Sequence, residues 1–316
     1  PAASAARHCH QPAVANAVLG SDRDLFVENP TVGDADAKED IMIKLGLIGD
    51  NIAKSQSPRL HRLAGLQNGA KVSYDRLVPA ESGKDFDMLF AEVAQGGFRG
   101  VNITYPYKER AAQKVQIDDP LVRAIGAVNT VIFDAGGPHG FNTDYSGFIA
   151  AYRHIRGNTA PGVALMIGAG GVGKAVAYGL AAMGITEIRI AERDLPKAEA
   201  LAEALRAAKP ALRVVTGPDA TALAQGAEGL INCTPVGMVG YGGTPLPRAS
   251  MTGALWAFDA VYTPVDTQFL NDAAAQGLQI ISGYELFIGQ GVDAWRLFTD
   301  LPLNDVRLRA DLLQPE

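Results

Sequence analysis

The chain has 316 residues, 47% of them hydrophobic, enough to fill two cores of ordinary domain size. Its formal net charge of −6 argues against a nucleic-acid surface or an anionic membrane surface, and no apolar run reaches the ~20 residues a membrane span needs. With only Cys9 and Cys233 present, neither a disulfide framework nor a zinc site is offered, and a reducing, cytoplasmic setting is expected.

Residues 1–40 stand apart: an alanine-rich start without sustained period, then an acidic stretch interrupted by Pro30 and Gly33. The start lacks the basic and apolar regions of a secretory signal. His8, Cys9 and His10 have nothing nearby to complete a metal shell, so this segment reads as a flexible extension. From Ile41 the pattern becomes regular. Strand Lys44–Gly49 runs into a loop, and Ser57 before Pro58 has the form of a helix cap followed by a first-turn proline. That helix should reach about Asn68. A strand follows over 71–78, a helix over 85–94, a strand over 100–104, and then a helix opened by Pro106 that carries Lys108. Asn129–Phe133 and Gly140–Asn142 read as a hairpin, and Tyr145–Arg156 as a helix leading into the second half.

The second half opens with the most informative stretch. Val163–Ile167 is a short apolar strand, and Gly168-Ala169-Gly170-Gly171-Val172-Gly173 fits G-x-G-x-x-G. A helical period follows to Met183, closed by Gly184, and strand Glu187–Glu192 ends in an acid ~20 residues beyond the glycines. Gly168 permits the tight turn, Gly170 lets backbone approach a pyrophosphate, and Gly173 lets helix pack on strand. The phosphates then face unpaired N–H groups at the positive end of the helix. Together these features indicate a Rossmann unit binding a dinucleotide. Further strands are expected at 212–215, 229–232, 256–260 and 278–282, with helices at 194–208 and 267–276 and a closing helix over about Tyr284–Phe298. The expected fold class is α/β in two domains. A mixed-sheet substrate domain covers 41–146 and is completed by 284–316, and a Rossmann domain covers 147–283.

Several blocks in order resemble the shikimate/quinate dehydrogenase family: Gly46–Asp50 with Ser55-Gln56-Ser57-Pro58 and His61, Asn102 to Lys108, Gly126–Thr130, and Asn142-Thr143-Asp144. The similarity continues through the glycine turn, Asn232–Met238, Asp259–Pro264 and Gln290. The resemblance implies reversible hydride transfer between a nicotinamide cofactor and shikimate, with quinate as a further substrate. It implies Lys108 and Asp144 as the catalytic pair, an ammonium beside a carboxylate moving the proton of a substrate oxygen. Ser55, Ser57 and Tyr262 would hold the substrate carboxylate, and Asn102, Thr104, Asn129, Asp144 and Gln290 the ring hydroxyls. Thr234, Gly237, Met238, Val261 and Gly283 match cofactor-facing positions, and no metal is implied.

Where NADP-using members carry Asn-Arg-Thr/Ser after the second Rossmann strand, this chain has Ala191-Glu192-Arg193-Asp194. Glu192 suits the two ribose hydroxyls of NAD and repels a 2′-phosphate, while Arg193 retains a means of meeting one. NAD is the expected cofactor, with NADP as the alternative, in a monomer or homodimer. A non-catalytic NAD-binding regulator would be expected to lack Lys108 or Asp144, and both are present.

Overall fold

A computed structural model of the chain describes residues 42–315; the predicted extension, with His8, Cys9 and His10, lies outside the described residues. The first sheet has the order β2-β1-β3-β4-β5, built from β1 (Met42–Ile48), β2 (Lys71–Leu77), β3 (Gly100–Ile103), β4 (Thr130–Asp134) and β5 (Gly137–Phe141). The strands β1, β2 and β3 run parallel because helices α1 (Ser57–Gln67) and α2 (Phe86–Gln95) supply the crossovers. The β4–β5 hairpin adds two antiparallel strands, so this sheet is mixed.

The second sheet is wholly parallel in the order β11-β10-β9-β6-β7-β8. Its strands are β6 (Val163–Ile167), β7 (Glu187–Ala191), β8 (Arg213–Gly217), β9 (Gly229–Asn232), β10 (Trp256–Asp259) and β11 (Gln279–Ile281). The order reverses between β6 and β9. A doubly wound sheet opens its binding crevice at that point, beyond the strands' carboxyl ends.

Three local differences from the sequence expectation matter for the site. The helix carrying Lys108, α3 (Lys108–Ala112), begins at Lys108 itself, two residues beyond Pro106. At α1 the residue before the helix is Gln56, not Ser57, and no side chain caps it; Ser57 occupies the first helical position with its hydroxyl free for other work. A helix missed by the sequence reading, α4 (Pro120–Ile125), carries the cap-then-proline signal at Asp119–Pro120, where the Asp119 carboxylate accepts from Leu121 N at 2.8 Å.

The chain passes from the first sheet to the second through α5 (Thr143–Arg156), so the predicted boundary at 146/147 falls inside a helix. After α8 (Ala220–Ala224) and α9 (Gln268–Ala275), two more helices follow the last strand: α10 (Gly283–Thr299), and then α11 (Asp305–Leu313), beyond the helix expected to close the chain. Helix α10 returns to the first sheet, where Ala294 and Phe298 pack with Leu45, Leu47 and Tyr74. It crosses α5 so closely that a Cβ on Gly147 would lie 2.7 Å from the backbone of Gln290. That contact fixes Gln290 one turn from the start of α5.

Candidate active site

The glycine turn leads from β6 into α6 (Gly171–Ala182). Gly168 has φ +99°, and a Cβ there would lie 2.9–3.0 Å from Thr234 and the Cys233 carbonyl. A Cβ on Gly173 would be 2.3 Å from the Gly168 oxygen, so helix and strand close only on glycine. Gly170 faces open space and precedes α6 without any side-chain cap, leaving the first-turn N–H groups of Gly171 and Val172 available to an anion. These features fit a dinucleotide pyrophosphate.

Glu192 follows β7, and its carboxylate accepts from Ala169 N at 2.9 Å and from Asp194 N at 3.2 Å. Burial pushes this carboxyl up, but the backbone N–H groups of Ala169, Asp194 and Arg193 outweigh it and hold the group below the usual range. The acid is thus charged and oriented beside the turn. Arg193 is exposed, and its guanidinium has no partner among the described residues.

A buried network joins the ends of β9 and β10. Asn232 donates to Asp259 at 2.9 Å and to the Val236 carbonyl at 3.0 Å, and its own oxygen accepts from the Thr234 N–H and hydroxyl. Asp259 also accepts from Val261 N and the Thr267 hydroxyl. The loops holding Thr234, Gly237, Met238 and Val261 are therefore pinned from below. Gly237 sits at φ +99°, and a Cβ on Gly283 would fall 2.6–2.7 Å from the carbonyl oxygens of residues 259–261. Cys233 is buried beside Asp259 and Asp144, and burial first, then those charges, pushes its thiol up.

Across the crevice, Lys108 Nζ donates to Asp144 Oδ2 at 2.6 Å, with side-chain exposures of 16% and 5%. Asn142 caps α5, accepting from Tyr145 N at 3.1 Å. Asp144 is therefore the second residue of that helix rather than its cap, and the helix's positive end favours its charge. Lys108 also packs against the glycine turn, since a Cβ on Gly171 would lie 2.9 Å from its Cβ. The Lys108–Asp144 pair and the glycine turn are direct neighbours.

The remaining polar groups form a ladder beside this pair. Asn102 accepts from the Tyr74 hydroxyl at 2.8 Å and donates to the Thr130 hydroxyl at 3.1 Å. Asn129 donates to the Thr143 hydroxyl at 3.0 Å and accepts from Thr143 N at 2.8 Å. At the far end the Ser55 and Ser57 hydroxyls are 3.2 Å apart, with the Tyr262 hydroxyl 3.5 Å from Ser55. The predicted residues mostly converge. Two stand differently: the Gln290 amide donates to Phe287 O of its own helix at 3.0 Å, and the Thr104 methyl packs over Gly49.

Sequence reasoning missed Tyr74, whose inward place in an alternating strand is the signature of an ordinary core aromatic. Its hydroxyl lies against Ser57 as well as Asn102, and burial pushes it up, so it remains a neutral donor. His61 stacks on Tyr74 with centroids 5.1 Å apart, and burial drives it down to about 3, hence neutral. Glu109 was also missed. From α3 it reaches Lys174 of α6 at 3.4 Å and Lys197 at 3.2 Å, the latter on α7 (Leu195–Ala208), tying the two sides of the crevice together. At the opposite mouth Asn51 donates to Val239 O at 2.8 Å, and the Tyr105 and Tyr241 rings meet edge-on at 6.2 Å. Among the described residues no cluster of three metal-ligating side chains occurs, and no helix is long and apolar enough to cross a membrane.

Residues 47–131 match the shikimate dehydrogenase substrate binding domain, and residues 164–237 match the saccharopine dehydrogenase NADP binding domain. The quinate/shikimate dehydrogenase (NAD(+)) of Corynebacterium efficiens is 37% identical over 278 residues, covering 86% of this chain and 98% of the relative. The shikimate dehydrogenase (NADP(+)) of Pseudarthrobacter chlorophenolicus is 36% identical over 279 residues, covering 85% and 94%. Among solved structures, the quinate dehydrogenase of Corynebacterium glutamicum in complex with NAD superposes with a TM-score of 0.77 at 35% identity, covering 86% of this chain and 99% of that one. At that identity, over nearly the whole of each relative, the chain belongs to the shikimate/quinate dehydrogenase family.

Proposed function

We propose that the protein oxidises shikimate reversibly to 3-dehydroshikimate, with quinate as a second substrate and NAD as the preferred cofactor. The observation that carries this reading is the Lys108–Asp144 pair at 2.6 Å, set against the glycine turn on one side and the polar ladder on the other. The nicotinamide, when bound, supplies the hydride acceptor. As the C–H hydride leaves, the Lys108 side chain, oriented by Asp144 and acting as the free amine, takes the proton of the reacting hydroxyl and becomes the ammonium; in reduction that ammonium gives the proton to the carbonyl oxygen. Asn102 and Asn129, locked by Thr130, Thr143 and Tyr74, present fixed amides to the ring hydroxyls. Ser55, Ser57 and Tyr262 offer three neutral hydroxyls to the carboxylate, a charge-assisted contact stronger than a neutral one.

Glu192 supports NAD, since its anchored, charged carboxylate would face a 2′-phosphate of like sign. The exposed Arg193 and the nearby Lys197 favour a residual NADP activity. Incubating the protein with shikimate or quinate, and NAD or NADP, while following reduced nicotinamide absorbance tests all of this at once. No turnover with either acid would overturn the reading, and faster turnover with NADP would overturn the cofactor assignment.

A further inference from the structure

A cavity of about 420 Å³ is lined by the serine loop, residues 53–56. Lys54, Arg59, Arg62 and Arg76 line it together with the loop at Ser55 and with Thr263, and no carboxylate among the described residues does. None of Ser57, Asn102, Lys108 or Asp144 reaches it. In a chain of net charge −6, this is a concentration of positive charge in which Lys54 and Arg62 have no acid partner among the described residues. Arg59 is occupied, donating to the carbonyls of Asp311 at 3.0 Å and Leu312 at 2.9 Å near the end of α11. Lys54 and Arg62 are exposed and have no ion-pair or hydrogen-bond partner among the described residues. Arg76 gives one nitrogen to the Ser55 carbonyl at 2.8 Å. The first turn of α1, with its positive end, forms part of the wall.

We propose that this cavity is a second anion-binding site, taking a small carboxylate or phosphate, and that its occupancy weakens binding of the substrate carboxylate at Ser55 and Ser57. Unpaired cations converging on a concave surface are the arrangement that recognises such anions. The coupling follows from Arg76. It is bonded to the backbone of the very serine that anchors the substrate, and its charge reaches Tyr74 and Tyr262 on the crevice side. An anion drawn to Arg76 both competes for that guanidinium and brings a like charge close to the bound substrate. The existence of the site stands on its own, whereas the coupling rests on the substrate reading above.

Calorimetric titration of inorganic phosphate into the full chain, at ionic strength held constant with sodium chloride, tests the site without any turnover. Saturable binding is expected in the wild type, weakened about tenfold or more in a Lys54→Gln/Arg62→Gln variant, the scale of one lost charge-assisted contact. Absence of saturable binding, or equal binding in the variant, overturns the proposal, the latter by placing phosphate in the crevice or at the glycine turn. Acetate in place of phosphate fixes the ligand class: Lys54/Arg62-dependent binding of one alone, or of both, supports the site. For the coupling, saturating anion should raise the KM for shikimate roughly three- to tenfold, as one partly screened charge pair would, leaving kcat and the variant unaffected. An unchanged KM with intact phosphate binding overturns the coupling, while an enzyme inactive on shikimate leaves the calorimetric result standing.

Discussion

Asp144 on α5 and Asp259 at the end of β10 are both buried, at 4% and 0% exposure, yet their surroundings differ in kind. Asp144 meets an ammonium at 2.6 Å and the positive end of a helix. Asp259 meets only neutral donors: the Asn232 amide, Val261 N and the Thr267 hydroxyl. Burial pushes its carboxyl up to about 6, against the opposing pull of those hydrogen bonds. A carboxylate with a cationic partner at a cleft can orient a moving proton. One enclosed by neutral donors is a clamp for the loops around it, and it holds its proton to unusually high pH.

The comparison breaks most visibly at Lys108. Lys108→Ala should lower kcat by ~10²–10⁴, the scale of a positioned acid–base group, with a far smaller change in shikimate affinity. Steady-state kinetics that showed kcat near wild type and only a raised KM would make Lys108 a binding residue.

Asp259 is expected to show itself in stability instead. The folded state holds its proton more tightly than the unfolded chain, whose ordinary value is 3.8, so its contribution is complete below that pH and is lost as pH rises through about 6. The difference is roughly 2–3 kcal/mol at one unit per ~1.4 kcal/mol. Asp259→Asn keeps the shape without the titration, so melts at closely spaced pH values should show a flatter profile between pH 4 and 6 than wild type. Parallel profiles would mean that Asp259 is ionised throughout.

A third contrast lies at Ser57, proposed to hold the substrate carboxylate. Ser57→Ala should raise the KM for shikimate about ten- to a hundredfold by removing one hydrogen bond to a charged group. Because Ser57 caps nothing, its melting temperature should stay near that of wild type. A drop in melting temperature without a KM effect would return Ser57 to a structural role.

The smallest effect is expected at Glu192. Glu192→Asn should shift the ratio of kcat/KM for NAD over NADP towards NADP by about tenfold, as one like-charge contact is relieved. A wild type that already prefers NADP would show that Arg193 governs the ribose pocket.

The cofactor side was legible in the sequence because its parts are local. Gly168 and Gly173 meet backbone within a few residues or beyond the end of the neighbouring strand, Gly170 leaves its side open, and a glycine pattern encodes that directly. The substrate side was legible by its blocks but not by its wiring. Tyr74 looks like any core aromatic, and nothing in the order of residues says that its hydroxyl reaches Asn102, 28 positions away. Ser57 shows the limit of local signals. A serine before a proline has the form of a cap, and here the helix starts one residue earlier while the hydroxyl turns to Ser55. Glu109 was invisible for the same reason as Tyr74, since its partners Lys174 and Lys197 belong to helices of the other sheet.

The return of α10 to the first sheet sets an order of assembly during synthesis. The second sheet and its crossover helices, residues 163–281, are contiguous and can close as soon as they emerge. The first sheet is made earlier but keeps Leu45, Leu47 and Tyr74 uncovered until Ala294 and Phe298 leave the ribosome. The half of the molecule translated first is therefore the half completed last, and a nascent chain stalled before α10 would carry a cofactor sheet that still lacks Leu286 beside an open, sticky substrate sheet.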